Sequence, residues 1–181
     1  MRIISGKYKG RQLFPPRNFK ARPTTDFAKE ALFNIIENNF DIEELSVLDL
    51  FAGTGSITYE FASRGASRVT SVEQNPDHFK FIRSTVIQLD MVQVNTVRSD
   101  AFKVIKNPWE EYDLIFADPP YDLPTLNTIP GLILNGGLLA KDGWLILEHS
   151  SRIGFRTMPQ LFDHRQYGSV NFSFFRLKSE E

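Results

Sequence analysis

The sequence predicts an α/β protein: a doubly wound, mostly parallel sheet with an antiparallel C-terminal strand, plus a small N-terminal β-hairpin. Three observations carry this. From Ser46 onward, short aliphatic runs alternate with stretches of helical period, the pattern of strand–helix–strand units. The largely apolar run Tyr112 to Ala117 reads as a buried strand of a parallel sheet. It ends in Asp118-Pro119-Pro120-Tyr121, where two prolines stop the ladder because neither donates a backbone hydrogen bond.

The elements follow in order. Residues 2–14 alternate loosely around Gly6 and Gly10, and Ile4, Tyr8 and Leu13 are the strand positions of the predicted hairpin. Pro15, Pro16 and Pro23 make a stiff connector that carries Arg17, Lys20 and Arg22. Thr24 and Thr25 are suitable caps for a helix running to about Asn38, with Ala28, Ala31, Leu32, Ile35 and Ile36 at helical spacing. The domain boundary is therefore set between residues 1–22, a basic extension, and residues 23–181.

Val47 to Leu50 is the first strand of the sheet, followed by a helix through Ile57, Tyr59, Phe61 and Ala62 that Gly65 closes. Arg68 to Val72 is the second strand. Pro76 opens a helix with Phe79, Ile82, Val86 and Leu89 on one face. Val92 to Val97, Tyr112 to Ala117 and Trp144 to Leu147 are further strands, with a leucine-rich helix before the last. From Phe162 to Leu177 helical period is absent, and Tyr167-Gly168-Ser169-Val170 suits a hairpin turn, so an antiparallel pair is expected at the end of the sheet.

Composition narrows the chemistry. The 181 residues include no cysteine, which excludes disulfides, thiolate metal sites and cysteine nucleophiles. The three histidines, His78, His149 and His164, lack ligand spacing, so no metal is expected. No apolar run approaches membrane-spanning length and no signal-peptide core is visible, from which a cytoplasmic location and no membrane partner are expected. The net charge of −1 is unevenly spread. Arg2, Lys7, Lys9, Arg11, Arg17, Lys20 and Arg22 lie in the first two dozen residues without a single acid, on an otherwise acidic body. A solvated tail is the plain reading; a surface for nucleic-acid phosphates is the sharper one.

The strand ends carry the candidate site. Asp49-Leu50-Phe51-Ala52-Gly53-Thr54-Gly55 lies where the first strand gives way to a helix, and its glycines let a ligand approach the backbone. A dinucleotide fingerprint requires a third glycine, where Thr58 stands instead, which argues against a nicotinamide cofactor. Asp49 disfavours a phosphate and suits a cation. Glu73 ends the second strand, where an acid accepts from ribose hydroxyls. Asp100 follows the third strand and suits an adenine amino group, with the Ala101 N–H facing a ring nitrogen. Each acid alone has an ordinary reading as a helix cap or surface residue. Together they describe an adenosine with a positively charged tail, which S-adenosylmethionine fits, with its sulfonium near Asp49 and Asp118.

The same residues resemble a family. Asp49-x-Phe-Ala-Gly-Thr-Gly, Glu73, Ser99-Asp100-Ala101 and Asp118-Pro-Pro-Tyr121 look like the Rossmann-like class I methyltransferases that act on exocyclic amino groups of nucleobases. Arg2-Ile-Ile-Ser-Gly-x-Tyr-Lys-Gly-Arg11, Arg22-Pro-Thr-Thr-Asp26 and Glu30-Ala-Leu-Phe-Asn34 narrow the resemblance to the RsmD family of bacterial 16S ribosomal RNA guanine-N2 methyltransferases. It departs from the family pattern at Phe27, where a basic residue is expected, and at Lys29, in place of a more usual arginine. The resemblance implies a cofactor site at Arg22, Thr24, Asp49, Phe51, Ala52, Gly53, Gly55, Glu73, Gln74, Asp100, Ala101 and Asp118. It implies catalysis at Asp118, Pro119, Pro120 and Tyr121, and RNA contact through the hairpin, at Arg2, Lys7, Lys9, Arg11, Arg17 and Lys20. Its expected partner is 16S rRNA or the small ribosomal subunit, with the enzyme acting as a monomer. A DNA adenine-N6 methyltransferase shares the tetrapeptide but commonly carries a recognition insert, for which no loop here is long enough. A non-catalytic RNA-binding or ribosome-assembly protein is the rival of a different class.

Overall fold

A computed structural model describes residues 1–17, 19 and 25–177. Its centre is a seven-stranded sheet in the order β3-β2-β1-β4-β5-β7-β6. The strands are β1 (Ser46–Leu50), β2 (Arg68–Val72), β3 (Val94–Val97), β4 (Tyr112–Ala117), β5 (Leu139–His149), β6 (Leu161–Tyr167) and β7 (Val170–Arg176). The first five pair in parallel. β7 runs antiparallel between β5 and β6, as the predicted turn at Gly168 requires. The chain builds outward from β1 to β3, then returns to place β4 on β1's other side. That reversal opens a crevice at the carboxyl ends of β1 and β4, the place where such sheets bind ligands.

Alternate side chains of each strand face opposite layers. Leu48, Leu50, Ile115 and Ala117 pack with Val104 and Ile105 of helix α4 (Ala101–Lys106) and Ile129 and Ile133 of α5 (Ile129–Asn135). Val47, Leu114 and Phe116 face the other way, against Leu32, Phe33 and Ile36 of α1 (Asp26–Glu37) and Ile57 and Phe61 of α2 (Ser56–Ser63). The cap of α1 is Thr25, whose hydroxyl accepts from the Ala28 N–H at 3.2 Å. Thr24, the other cap considered, lies outside the described residues, as do Lys20 and Arg22.

The N-terminal segment departs from a regular hairpin. A single antiparallel bridge, Arg2 to Gln12, closes it, and the residues between form successive turns. Its inward residues are Ile3 and Leu13, which join Tyr59 and Ala62 of α2 and Ile82, Val86 and Leu89 along α3 (Pro76–Gln88). Ile4 and Tyr8 are only half-buried. The body takes over the hydrogen bonding that strands would supply. Ile4 and Ser5 donate their N–H groups to the Glu60 carboxylate at 2.8 and 3.0 Å, and Lys7 donates to the Ser63 carbonyl at 2.7 Å. Gly6 makes this approach possible: its φ is +79°, and a Cβ there would lie 1.9 Å from the Ser63 oxygen. Residues 1–13 thus share a core with the sheet's helices.

β5 is longer than Trp144 to Leu147. The strand passes through Lys141-Asp142-Gly143 with Asp142 at φ 65° and the β4 pairing shifted there, the signature of a bulge.

Candidate active site

A cavity of about 650 Å³ occupies the crevice. β1 delivers Asp49 and the loop Phe51, Ala52, Gly53 to it; β2 delivers Glu73 and Gln74; Ala101 opens α4 beside it. Asp118, Pro119, Pro120 and Tyr121 follow β4 along the same wall. Asp49, Glu73 and the tetrapeptide Asp118 to Tyr121, which sequence reasoning placed on separate strand ends, therefore converge.

The loop is tightly made. Phe51 sits at φ 62°, a left-handed conformation that costs a bulky residue on the order of 1 kcal/mol or more. Gly55, the N-cap of α2, lies at φ 82°, and a Cβ there would stand 2.6 Å from the Tyr59 ring. Gly55 shapes the turn without lining the cavity. Gly53 donates its N–H to Glu73 at 2.8 Å, and Asn75 donates to the other oxygen at 2.7 Å. Glu73 is thereby fixed in orientation at the rim.

Asp49 is 1% exposed. It accepts the Thr58 N–H at 3.0 Å and the Thr58 hydroxyl at 2.6 Å. Burial pushes its carboxyl up to about 7, against the pull of these bonds, and Glu73 adds to the rise. Thr58 therefore holds the acid in place; its sequence signal was only the missing glycine. Asp118 is likewise held well above the usual carboxylate range, by desolvation first and then by Glu148 and Asp49. Acids that raise one another in a desolvated cavity make a site whose electrostatic complement is a cation.

Asp100 stands at the N-cap of α4. Its Oδ1 caps α4, accepting from the Phe102 and Lys103 N–H groups at 2.8 and 3.2 Å, and it is not among the residues lining the cavity. Arg2, Lys7, Lys9, Arg11 and Arg17 are exposed on the N-terminal segment and also stand outside the cavity. Arg2 pairs with Asp26 at 3.3 Å. Phe27 is 70% exposed and meets the Tyr167 ring edge-on. Lys29 is buried: its Nζ donates to the Arg2 carbonyl at 2.6 Å and to Ser56 Oγ at 3.2 Å. Desolvation lowers its pKa despite the nearby Glu60. It ties the N-terminal segment to a residue of the cavity wall.

Sequence reasoning missed Glu148. It is 4% exposed, lines the cavity and accepts the Tyr121 hydroxyl at 3.0 Å. The signal was available: it is an acid directly after the apolar run ending at Leu147. Among the described residues no group of His, Asp and Glu side chains could hold a metal ion, and no helix is long and apolar enough to cross a membrane.

Known proteins match this architecture over nearly its whole length. The family described as "Conserved hypothetical protein 95" matches residues 1–176. "Ribosomal RNA small subunit methyltransferase D" of Buchnera aphidicola is 31% identical over 88% of this chain and 81% of its own. "Putative rRNA methyltransferase YlbH" of Bacillus subtilis is 33% identical over 84% of each. The solved structure of "Putative methyltransferase yhhF from Escherichia coli" superimposes with a TM-score of 0.86 at 26% identity, covering 99% of both chains. The chain belongs to this family, the RsmD family that its motifs resemble.

Proposed function

We propose that the protein transfers the methyl group of S-adenosylmethionine to the N2 amino group of a guanine in the 16S RNA of the small ribosomal subunit. The observation that carries this reading is the meeting of Asp49, Glu73, Asp118 and Glu148 around one cavity that ends in the rigid Asp-Pro-Pro-Tyr loop. Methyltransferase D of Buchnera aphidicola, by its name, acts on small-subunit ribosomal RNA.

The acids fit the cofactor. Its positively charged sulfur suits the space between Asp49 and Asp118, and its ribose suits the rim at Glu73. S-adenosylmethionine supplies a methyl group activated by that positive sulfur. Arg22 and Thr24, which the family resemblance places near the methionine end, lie outside the described residues.

The remaining chemistry belongs to the chain. Guanine N2 is a poor nucleophile because its lone pair is delocalised into the ring. Asp118 and the Pro119 carbonyl accept the two N2 hydrogens and draw the nitrogen toward tetrahedral geometry. Pro120, the next residue, has no N–H, so the peptide unit of the Pro119 carbonyl presents an acceptor with no donor beside it. Tyr121 stacks on the base, and its hydroxyl, held by Glu148, fixes the plane of the ring. Alignment of the two reactants supplies much of the rate. As the nitrogen–carbon bond forms and the carbon–sulfur bond breaks, the surplus N2 proton passes to Asp118 or to water. The target base must be unstacked to enter.

The test uses labelled S-adenosylmethionine with small subunits from cells lacking the protein, with free 16S RNA and with DNA. Label in N2-methylguanine of the RNA is expected. Label in DNA N6-methyladenine, or in no nucleic acid, overturns the reading in favour of the DNA enzyme or the assembly protein.

A further inference from the structure

Phe27 is 70% exposed and Phe14 78%. A single exposed ring is ordinary on a protein surface. These two are set apart by their surroundings. Phe14 shares a surface hollow with Met1, Arg2, Gln12 and Asp26, and Arg2 pairs with Asp26, the residue before Phe27, at 3.3 Å. Arg2, Lys7, Lys9 and Arg11 are exposed along the same N-terminal segment. Exposed rings beside exposed cations are the two parts of a surface for single-stranded nucleic acid: the cations hold phosphates and the rings take bases.

Phe27 also lies on the functional side of the sheet. His149, at the carboxyl end of β5, pairs with Asn171, and Tyr167 pairs with Val170. The turn between β6 and β7 therefore stands at the edge of the sheet on which the crevice opens. Phe27 meets the Tyr167 ring there, with 5.9 Å between centroids and 79° between planes. Tyr167 lies 6.1 Å from the Phe172 ring, and Phe172 lies 6.3 Å from that of Phe116. Phe172 is fully buried, and Phe116 lines the cavity. Three ring-to-ring steps thus lead from the cavity wall to the exposed ring. The inner rings are packed and hold Tyr167, which braces Phe27 edge-on. Part of the ordering that a ligand would otherwise impose is already done.

We infer that Phe27, braced by Tyr167, is a stacking seat for one unpaired base of the substrate RNA, a few nucleotides from the target. The inference rests on the ribosomal RNA reading above and is independent of which atom of the target base takes the methyl group. Taking the target base out of its stack strips a neighbouring base of a stacking partner. A ring on the crevice side of the sheet supplies a replacement. An aromatic face accepts every base, so the seat keeps the strand in register with the cavity without reading its sequence. The exposed cations on the adjoining segment favour a polyanion here over the apolar face of a protein.

The test measures binding to small ribosomal subunits from cells lacking the protein. Phe27→Ala and Phe27→Leu should each weaken it by about 5- to 100-fold, the range that loss of base–aromatic stacking gives. Phe27→Trp, which keeps a ring, should bind like wild type. Stacking neutralises no phosphate, so the dependence of affinity on salt should keep its wild-type slope in all three variants, as should the affinity for S-adenosylmethionine keep its value. Mass mapping then identifies the methylated nucleotide. With p-benzoylphenylalanine placed at residue 27, irradiation of the bound subunit should crosslink the protein to 16S RNA within a few nucleotides of that position. Phe27→Leu binding like wild type, or a crosslink to a ribosomal protein or to remote RNA, overturns the seat and leaves the methylation of ribosomal RNA standing. Wild-type protein that neither binds nor methylates the subunit overturns the parent reading itself.

Discussion

Asp49→Asn separates what the site needs from what the fold prefers. The carboxyl is displaced from 3.8 to about 7, with burial as the first cause. Between those values the folded protein holds a proton that the unfolded chain has lost, so stability falls as pH rises from about 4 to about 7. The displacement corresponds to about 4 kcal/mol, fully present in acid and gone above the folded-state value. Asparagine keeps a side-chain carbonyl for the Thr58 N–H and hydroxyl, which bond Asp49 at 3.0 and 2.6 Å, but it cannot ionise. The variant should therefore gain on wild type as pH rises, by about 3 kcal/mol between pH 4.5 and pH 8, part of the total having already gone by pH 4.5. Urea denaturation of both proteins without cofactor, at half-unit pH intervals, gives the difference directly. In the same variant, affinity for S-adenosylmethionine should fall, because the negative partner of the sulfonium is gone. A stability difference that stays constant with pH would refute the reasoning, since it would mean that Asp49 carries no desolvation cost. So would a variant that binds cofactor like wild type.

The remaining predictions follow from the same geometry. In wild type, S-adenosylmethionine affinity should rise as pH increases through about 7, with proton release on binding, because a cation favours the ionised form of Asp49; calorimetry in buffers of different ionisation enthalpy reads the released proton. Asp118→Ala should cut single-turnover methyl transfer by on the order of 100-fold or more, as removal of a positioned hydrogen-bonding group does elsewhere, in a protein whose circular dichroism is unchanged. Gly55→Ala forces a Cβ to within 2.6 Å of the Tyr59 ring at a φ of +82°, so the cofactor loop must shift, and the dissociation constant for S-adenosylmethionine should rise by about 10-fold or more. Because Ile3 and Leu13 belong to the core, removal of the N-terminal segment would damage the fold. The triple change Lys7→Gln, Lys9→Gln and Arg11→Gln leaves that core intact. It should lower the salt slope of RNA binding by about 0.7 to 0.9 for each phosphate the variant no longer neutralises, read from filter binding at several salt concentrations.

The sheet was largely legible because its signal is local. Val47 to Leu50 and Tyr112 to Ala117 are short, largely apolar runs, Arg68 to Val72 is a short stretch rich in β-branched residues, and each became a strand. The acids at their ends were legible for the same reason: strand-end position predicts a shared crevice once the sheet is parallel. What escaped depends on partners distant in sequence. The N-terminal hairpin gave way to turns because Glu60 and Ser63, more than fifty residues away, satisfy its backbone. Lys29 was legible only as a lysine in place of a more usual arginine; its burial depends on a carbonyl at Arg2 and a hydroxyl at Ser56, both 27 residues away. β5 begins at Leu139 rather than Trp144 because the chain carries the strand through a bulge at Asp142, which the apolar pattern alone does not show.

The strand inserted late into the sheet bears on how the chain survives in a crowded cell. β7 presents Val170 through Phe175 with every residue buried, and an uncovered strand of that kind is a template for pairing with other chains. β6 lies over it as the outer edge and carries Asp163, His164, Arg165 and Gln166. Charge on the outermost strand discourages edge-to-edge aggregation. A lesion that frees β6 would leave the catalytic strands paired while turning the molecule into a seed for its own precipitation.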